Sequence, residues 1–208
     1  IGHEASHVKG ADCVVISSAI SEENPELREA RRLGIPVFHR SDVLAAMFHW
    51  GKGITVAGAH GTSTTSAMVG QIFYEAGKDP TIVLGAAASY IGGNSCLGKG
   101  AYVIAEADES DSSFLKFSPY MTVVTNIEDD HLDHYGSVEN IRRAFSEFIS
   151  HICYEDGVAI VCTDSEGVCA ILPEIHKTCI TYGLNEKADY RAVNKRYENR
   201  HLLFDVVH

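Results

Sequence analysis

The chain has 208 residues, 45% hydrophobic and 22% charged, enough for one large or two small domains with real cores. Its formal net charge of −11 argues against non-specific nucleic-acid binding, which depends on basic surface, and no run is long and apolar enough to insert into a membrane. Ile1-Gly2-His3-Glu4 lacks the basic start and apolar core of a leader, and the absence of an opening Met reads as a fragment boundary. The six cysteines (Cys13, Cys96, Cys153, Cys162, Cys169, Cys179) form no Cys-x-x-Cys pair, and several sit in apolar runs. They are expected to be buried free thiols of a cytoplasmic protein.

In chain order, residues 12–17 form a short apolar run read as a buried strand. Asn24-Pro25 opens a helix that runs to a stop at Gly34. Ile35-Pro36-Val37-Phe38 is a second strand, and Ser41-Asp42 caps a helix through Trp50. This alternation predicts a partial Rossmann-like α/β unit, with Gly51-Lys52-Gly53 as the linker after it. From Ile54 on, strands are predicted at 54–57, 80–84, 101–105, 121–125, 157–162 and 178–181, with helices at 63–76, 138–150 and 166–172. Segments 188–195 and 201–207, joined by Glu198-Asn199-Arg200, read as a β-hairpin. The fold class is α/β: a P-loop-type, mostly parallel sheet flanked by helices, with a C-terminal β-hairpin.

Three of these strands end in sequences that carry chemistry. After the first comes Gly58-Ala59-His60-Gly61-Thr62-Ser63-Thr64, whose glycines let backbone N–H groups close around an anion at a helix start. It lacks the lysine of a P-loop, and Ser63 and Thr64 offer hydroxyls to phosphate or Mg²⁺. After the strand 101–105 come four carboxylates, Glu106, Asp108, Glu109 and Asp111. After the strand at 121 comes Thr125-Asn126-Ile127-Glu128-Asp129-Asp130-His131-Leu132-Asp133-His134-Tyr135, in which His131, flanked by carboxylates, is a candidate ligand and His134 is expected to face solvent. Ligands gather at the carboxyl ends of strands in open α/β sheets, so the convergence predicts one crevice for a nucleoside triphosphate with one or two Mg²⁺ ions. No nucleophile elbow or Cys/His pair competes with phosphoryl transfer.

Together these segments resemble the Mur ligase family of cell-wall synthesis, and its alanine-adding branch in particular. The loop resembles the family's Gly-Thr-His-Gly-Lys-Thr-Thr signature. Glu106–Phe114 is similar to its Glu-Ala-Asp-Glu-Ser-Asp-Gly-Ser-Phe segment, and Thr125–Tyr135 to its Thr-Asn-Ile-Glu-x-Asp-His-x-Asp-x-Tyr segment. Ser17-Ser18-Ala19-Ile20, Asn24-Pro25-Glu26 and Ile35-Pro36-Val37 also fit that branch. The resemblance implies residues 1–50 as the tail of a UDP-binding domain and 54–208 as an incomplete central ATP-binding domain. It implies ATP and Mg²⁺ as cofactors and UDP-N-acetylmuramate and L-alanine as partners. Glu106 and Ser63 would hold one Mg²⁺ and His131 a second; Gly58, Ala59, His60, Gly61, Thr62, Ser63 and Thr64 would seat ATP; Thr62, Glu106 and His131 would be the catalytic positions. His3 and Ser17 would lie on the UDP-sugar side. Thr62 stands where the family has lysine and Ser112 where it has glycine. Lys52 and Lys78 are the nearest cations in sequence to replace that lysine, and without it this chain is expected not to turn over. A ligase that attaches a preformed tripeptide, and a nucleotide-binding module that has lost turnover, are the alternatives.

Overall fold

The computed structural model describes residues 2–208; Ile1, part of the start weighed as a leader, lies outside the described residues. The chain divides into two compact units, one ending at Met47 and the other running Phe48–His208. In the first, β1 (Val14–Ile16) pairs in parallel with β2 (Val37–His39), Val14 opposite Val37. Between them, α1 (Pro25–Leu33) follows the sequence signals closely. The Asn24 side chain accepts from the N–H groups of Glu26 and Leu27, Pro25 takes the first helical position, and Gly34 closes the helix at φ 69°.

The next helix, α2 (Arg40–Met47), begins before the Ser41-Asp42 pair expected to cap it. Asp42 instead accepts the His39 N–H at 2.9 Å, reaching back from the third helical position, and buried Ser41 lies 2.6 Å from His39 Nδ1. Phe48–Trp50 is a 3-10 turn that belongs to the second unit. The expected linker is occupied: Lys52 and Gly53 already belong to β3 (Lys52–Ala57), and the Lys52 N–H donates to Ala101 O at 2.7 Å.

The second unit is built on a nine-stranded sheet. After β3 come α3 (Thr62–Glu75), β4 (Thr81–Ala88), β5 (Gly93–Cys96), β6 (Tyr102–Glu106) and β7 (Met121–Val124). They are followed by α4 (Leu132–Tyr135), α5 (Val138–Ser150), β8 (Val158–Cys162), α6 (Glu166–Ile171), β9 (Cys179–Gly183), β10 (Tyr190–Glu198) and β11 (His201–Val207). The order is β11-β10-β9-β8-β7-β3-β6-β4-β5, parallel except for the pairs at its two edges, β4–β5 and β10–β11. The edge strand β5 was not expected; Gly93-Asn94-Ser95-Cys96 has no apolar pattern to announce it.

The predicted hairpin forms, and Asn199 and Arg200 both take positive φ in the two-residue turn that matches strand twist.

Residues Gly53–Ala57 of β3 are buried, as a central parallel strand demands. Ile54, Ile82, Leu84 and Ile104 form an apolar cluster against Ala67, Val69 and Phe73 of α3. Thr55 and Thr122, opposite each other on β3 and β7 and both fully buried, satisfy one another through a 3.0 Å hydroxyl bond. From α5, Ile141, Phe145, Phe148 and Ile149 are buried, and Phe114 packs its ring 5.1 Å from that of Phe145 and 4.8 Å from that of Phe148.

The six cysteines are free, but none is fully buried: Cys13, Cys153 and Cys169 are exposed and the others half-buried. Cys96, Cys162 and Cys179 sit at strand ends, Cys169 lies in α6, and Cys13 and Cys153 lie outside any strand or helix, so an apolar neighbour in sequence does not ensure burial.

Candidate functional site

The three chemistry-bearing strand ends lie side by side, because β3 sits between β7 and β6. Val56 pairs with Glu106 and Ala57 with Val124, so the loop after β3 opens between the acidic segment and the Thr125 segment. Gly58, at φ 142°, approaches the Thr125-Asn126 backbone so closely that a Cβ there would lie 2.2 Å from Thr125 Oγ1. Gly61 adopts φ 80° at the start of α3, which places Thr62 and Ser63 on its first turn. The Thr125 hydroxyl donates to His60 O at 2.8 Å, and Asn126 makes two bonds to the His60 backbone.

Glu106, the last residue of β6, gathers the loop's hydroxyls. Its Oε1 accepts from Thr62 Oγ1 at 2.7 Å and from Ser63 Oγ at 2.8 Å, while Oε2 accepts the Gly85 N–H at 2.8 Å. Gly85 was not singled out in the sequence, yet any Cβ there would sit 2.3 Å from Glu106 Oε2. The small-residue run Gly85-Ala86-Ala87-Ala88 at the end of an apolar strand is the signal that marks this close approach. The carboxylate and the Ser63 hydroxyl are hard oxygens at contact distance, a donor set that suits Mg²⁺. Among the described residues, no group of three or more His, Cys, Asp or Glu side chains is arranged to hold a metal ion.

His131 stands at φ 55° ahead of α4, with Nε2 3.6 Å from Glu109 Oε1 and 3.9 Å from Asp130 Oδ2. It is therefore brought to Glu109 rather than to Glu106. His134 is exposed, as expected, and meets the Ser112 hydroxyl at 2.9 Å. Ser112 itself adopts φ 61°, the conformation a glycine takes without strain. His60 Nε2 lies 3.5 Å from Glu128. Thr64 joins Ser63 in lining a cavity of about 380 Å³ bounded by Ala86–Tyr90. A larger cavity, about 650 Å³, lies between the ends of β7 and β8; Asn126, Glu128, Asp129, Arg142 and Asp164 line it, and the Arg142 Nε is buried there without a hydrogen-bond partner. His3 and Ser17 lie in the first unit, where His3 Nδ1 bonds Glu26 at 2.7 Å and Ser17 follows β1.

Neither of the lysines nearest in sequence to the missing one is at the loop. Lys52 starts β3, roughly 16 Å from the strand's carboxyl end, and is held by Asp156 at 3.1 Å with its ammonium 3.9 Å over the Tyr120 ring. Lys78 follows the far end of α3, a 14-residue helix and so about 21 Å long.

Burial pushes the Glu109 carboxyl above its usual range, with Asp108 and Asp130 adding to the effect and the nearby His131 opposing it. A carboxyl raised on folding weakens the fold above the folded-state value, and this penalty vanishes below the unfolded one. Glu109→Gln should therefore melt higher than the parent at pH 8. The difference should close as pH falls to about 4, near the ordinary glutamate value; a gap that is constant with pH in thermal scans would contradict this.

A glycine-bearing loop between a buried parallel strand and a helix, backed by an acidic strand end, is the arrangement with which one class of α/β proteins receives phosphate. Sequence comparison narrows that class. Residues 56–208 match the Mur ligase middle domain, and residues 1–49 match the profile described as Mur ligase family, catalytic domain. The chain belongs to the Mur ligase family. It is 48% identical over 199 residues to the UDP-N-acetylmuramate–L-alanine ligase of Pelobacter propionicus, covering 95% of this chain and 43% of that protein. The ligase of the same name from Geotalea daltonii is 48% identical over 198 residues, with 95% and 43% covered. The crystal structure of the UDP-N-acetylmuramate-alanine ligase of Thermotoga maritima superposes with a TM-score of 0.81 at 28% identity, covering 94% of this chain and 44% of that one. The chain thus spans less than half the length of these relatives. Among the described residues, no helix is long and apolar enough to cross a membrane.

Proposed function

We propose that the chain is the central part of an ATP-dependent ligase that joins L-alanine to the carboxylate of UDP-N-acetylmuramate in the cytoplasm. In this reading residues 1–50 are the tail of the UDP-sugar domain, with His3 and Ser17 on the sugar side, and 54–208 are the ATP-binding domain. The observation that carries it is the meeting of Ser63 and Thr62 with Glu106 at the mouth of the Gly58–Thr64 loop. The loop amides receive the β- and γ-phosphates, and α3 adds the positive end of its dipole. The muramate carboxylate attacks the γ-phosphorus, ADP departs, and an acyl phosphate forms. The alanine amine then adds to the acyl carbon, and the tetrahedral intermediate expels phosphate.

Ser63 and Glu106 would hold one Mg²⁺ through their oxygens and His131 would hold a second through a ring nitrogen, and such ions would neutralise charge on the phosphates. The cavity of about 650 Å³ beside the loop would take the nucleoside end, its carboxylates serving as acceptors for ribose hydroxyls and Arg142 as a donor.

Thr62 favours a second statement about the same site: this chain binds nucleotide weakly and does not turn over. A lost preorganised electrostatic contact costs about 3–4 kcal/mol of transition-state stabilisation. Titration calorimetry of the 208-residue chain with Mg·ATP, beside an assay of L-alanine-dependent phosphate release, tests both. Weak, Mg²⁺-dependent binding without turnover is expected. Full ligase activity of the chain would overturn the impairment, and no nucleotide binding by the chain or by its Thr62→Lys variant would overturn the ATP site.

A further inference from the structure

We infer that Asn126 is a positioning residue that latches the phosphate loop in its anion-receiving shape; the inference rests on the reading of that loop as the phosphate seat. Asn126 follows β7 and is not needed as a ligand in the mechanism above. Its side-chain amide faces the His60 peptide groups in both directions. Oδ1 accepts the His60 N–H at 2.9 Å, and Nδ2 donates to His60 O at 2.8 Å. The Thr125 hydroxyl adds a second donor to the same carbonyl at 2.8 Å.

His60 is the middle of the loop, three residues before Ser63. Its carbonyl would point a partial negative charge at an incoming phosphate if it turned inward. Two donors aimed at that carbonyl from β7 hold it away. The junction also has no slack, because a Cβ on Gly58 would lie 2.9 Å from Asn126 O and 3.0 Å from Asn126 N. The bonds join residues 66 apart in sequence, so the shape of the loop is set by the segment after a neighbouring strand as well as by its own glycines.

The test compares the parent chain with Asn126→Ala and Asn126→Asp, using two readouts. The first is hydrogen exchange of the His60 amide without nucleotide. Protection should be lost in the Ala variant and kept in the Asp variant, whose carboxylate still accepts that N–H. The second is affinity for Mg·ADP by calorimetry at a temperature where all three are folded. Asn126→Ala should bind about tenfold more weakly, a change of about 1.4 kcal/mol, and Asn126→Asp more weakly still, because an oxygen replaces the donor to His60 O and a negative charge is added beside the loop. A side chain that serves stability alone would not reverse the order of the two variants between the readouts. Equal His60 protection in parent and Ala variant overturns the latch, as does equal Mg·ADP affinity. If the parent itself does not bind Mg·ADP, the nucleotide reading fails while the exchange result still decides whether Asn126 holds the loop.

Discussion

Replacing Thr62 with lysine should tighten Mg·ATP binding to this chain by at least tenfold, and in a complete ligase it should raise turnover by about 10²–10³. Two changes act together. Lysine restores a cation at the β- and γ-phosphates, where neither Lys52 nor Lys78 is placed to act. It also removes the hydroxyl that donates to Glu106 Oε1 at 2.7 Å. That hydrogen bond occupies an oxygen which the Ser63 hydroxyl also uses, so an incoming cation must displace both donors. Thr62→Val separates the contributions, since it removes the hydroxyl and keeps the shape without adding charge. The valine variant should bind nucleotide no more tightly than the parent in magnesium-free buffer. Calorimetric titration of the three proteins checks the series, and equal affinities for Mg·ATP in parent and lysine variant would remove position 62 from the account of the site.

Replacing Phe114 with alanine should cost about 3–5 kcal/mol of stability, which for a unit of this size lowers the melting temperature by roughly 10 °C. Phe114 is fully buried against Phe145 and Phe148 of α5. Its N–H also donates to Asp108 O at 3.1 Å, which closes the acidic segment behind Glu106. Loss of the ring should therefore loosen the carboxylate segment as well as the core, and weaken Mg·ATP binding. Tyr197, 81% exposed on the hairpin, is the control; its alanine variant should change stability by less than about 0.5 kcal/mol. Chemical denaturation monitored by circular dichroism gives both values, and a Phe114→Ala cost below that of a surface site would contradict the packing described here.

Much of this fold is legible in the residues themselves. The ends of α1 follow from Asn24, Pro25 and Gly34, whose local chemistry leaves few alternatives. The parallel strands announce themselves as apolar runs because both of their faces are covered. What escapes is set by partners distant in sequence. Lys52 and Gly53 read as linker because nothing local reveals that Tyr102 and Val103 lie opposite them. β5 has no apolar signature because it forms only by borrowing the edge of β4.

The site divides along the same line. Gly58, Gly61, Ser63 and Glu106 are recognisable from type and spacing, since phosphate binding needs small residues and hard oxygens in that order. Gly85 is marked only by the run of small residues it begins, which does not say that Glu106 lies against it, and the latch on His60 is invisible, because it depends on which backbone a neighbouring strand presents. His131 is recognisable as a residue of interest, but its nearest partner, Glu109, depends on how Ser112 and Tyr135 turn the acidic segment. The Tyr135 hydroxyl donates to Glu109 O, a contact that spans 26 residues.

The central place of β3 also governs when the site can exist. The strand pairs with β6 about fifty residues later and with β7 some 67 residues later, so the loop's two walls arrive only after long stretches of chain have been closed into register. Closing such loops carries an entropic cost before any contact repays it, and parallel pairing is slow for that reason. The Gly58–Thr64 segment therefore has no anion-binding shape of its own in the unfolded or half-folded chain. The proposed phosphate seat is therefore complete only once both of these non-local pairings have formed.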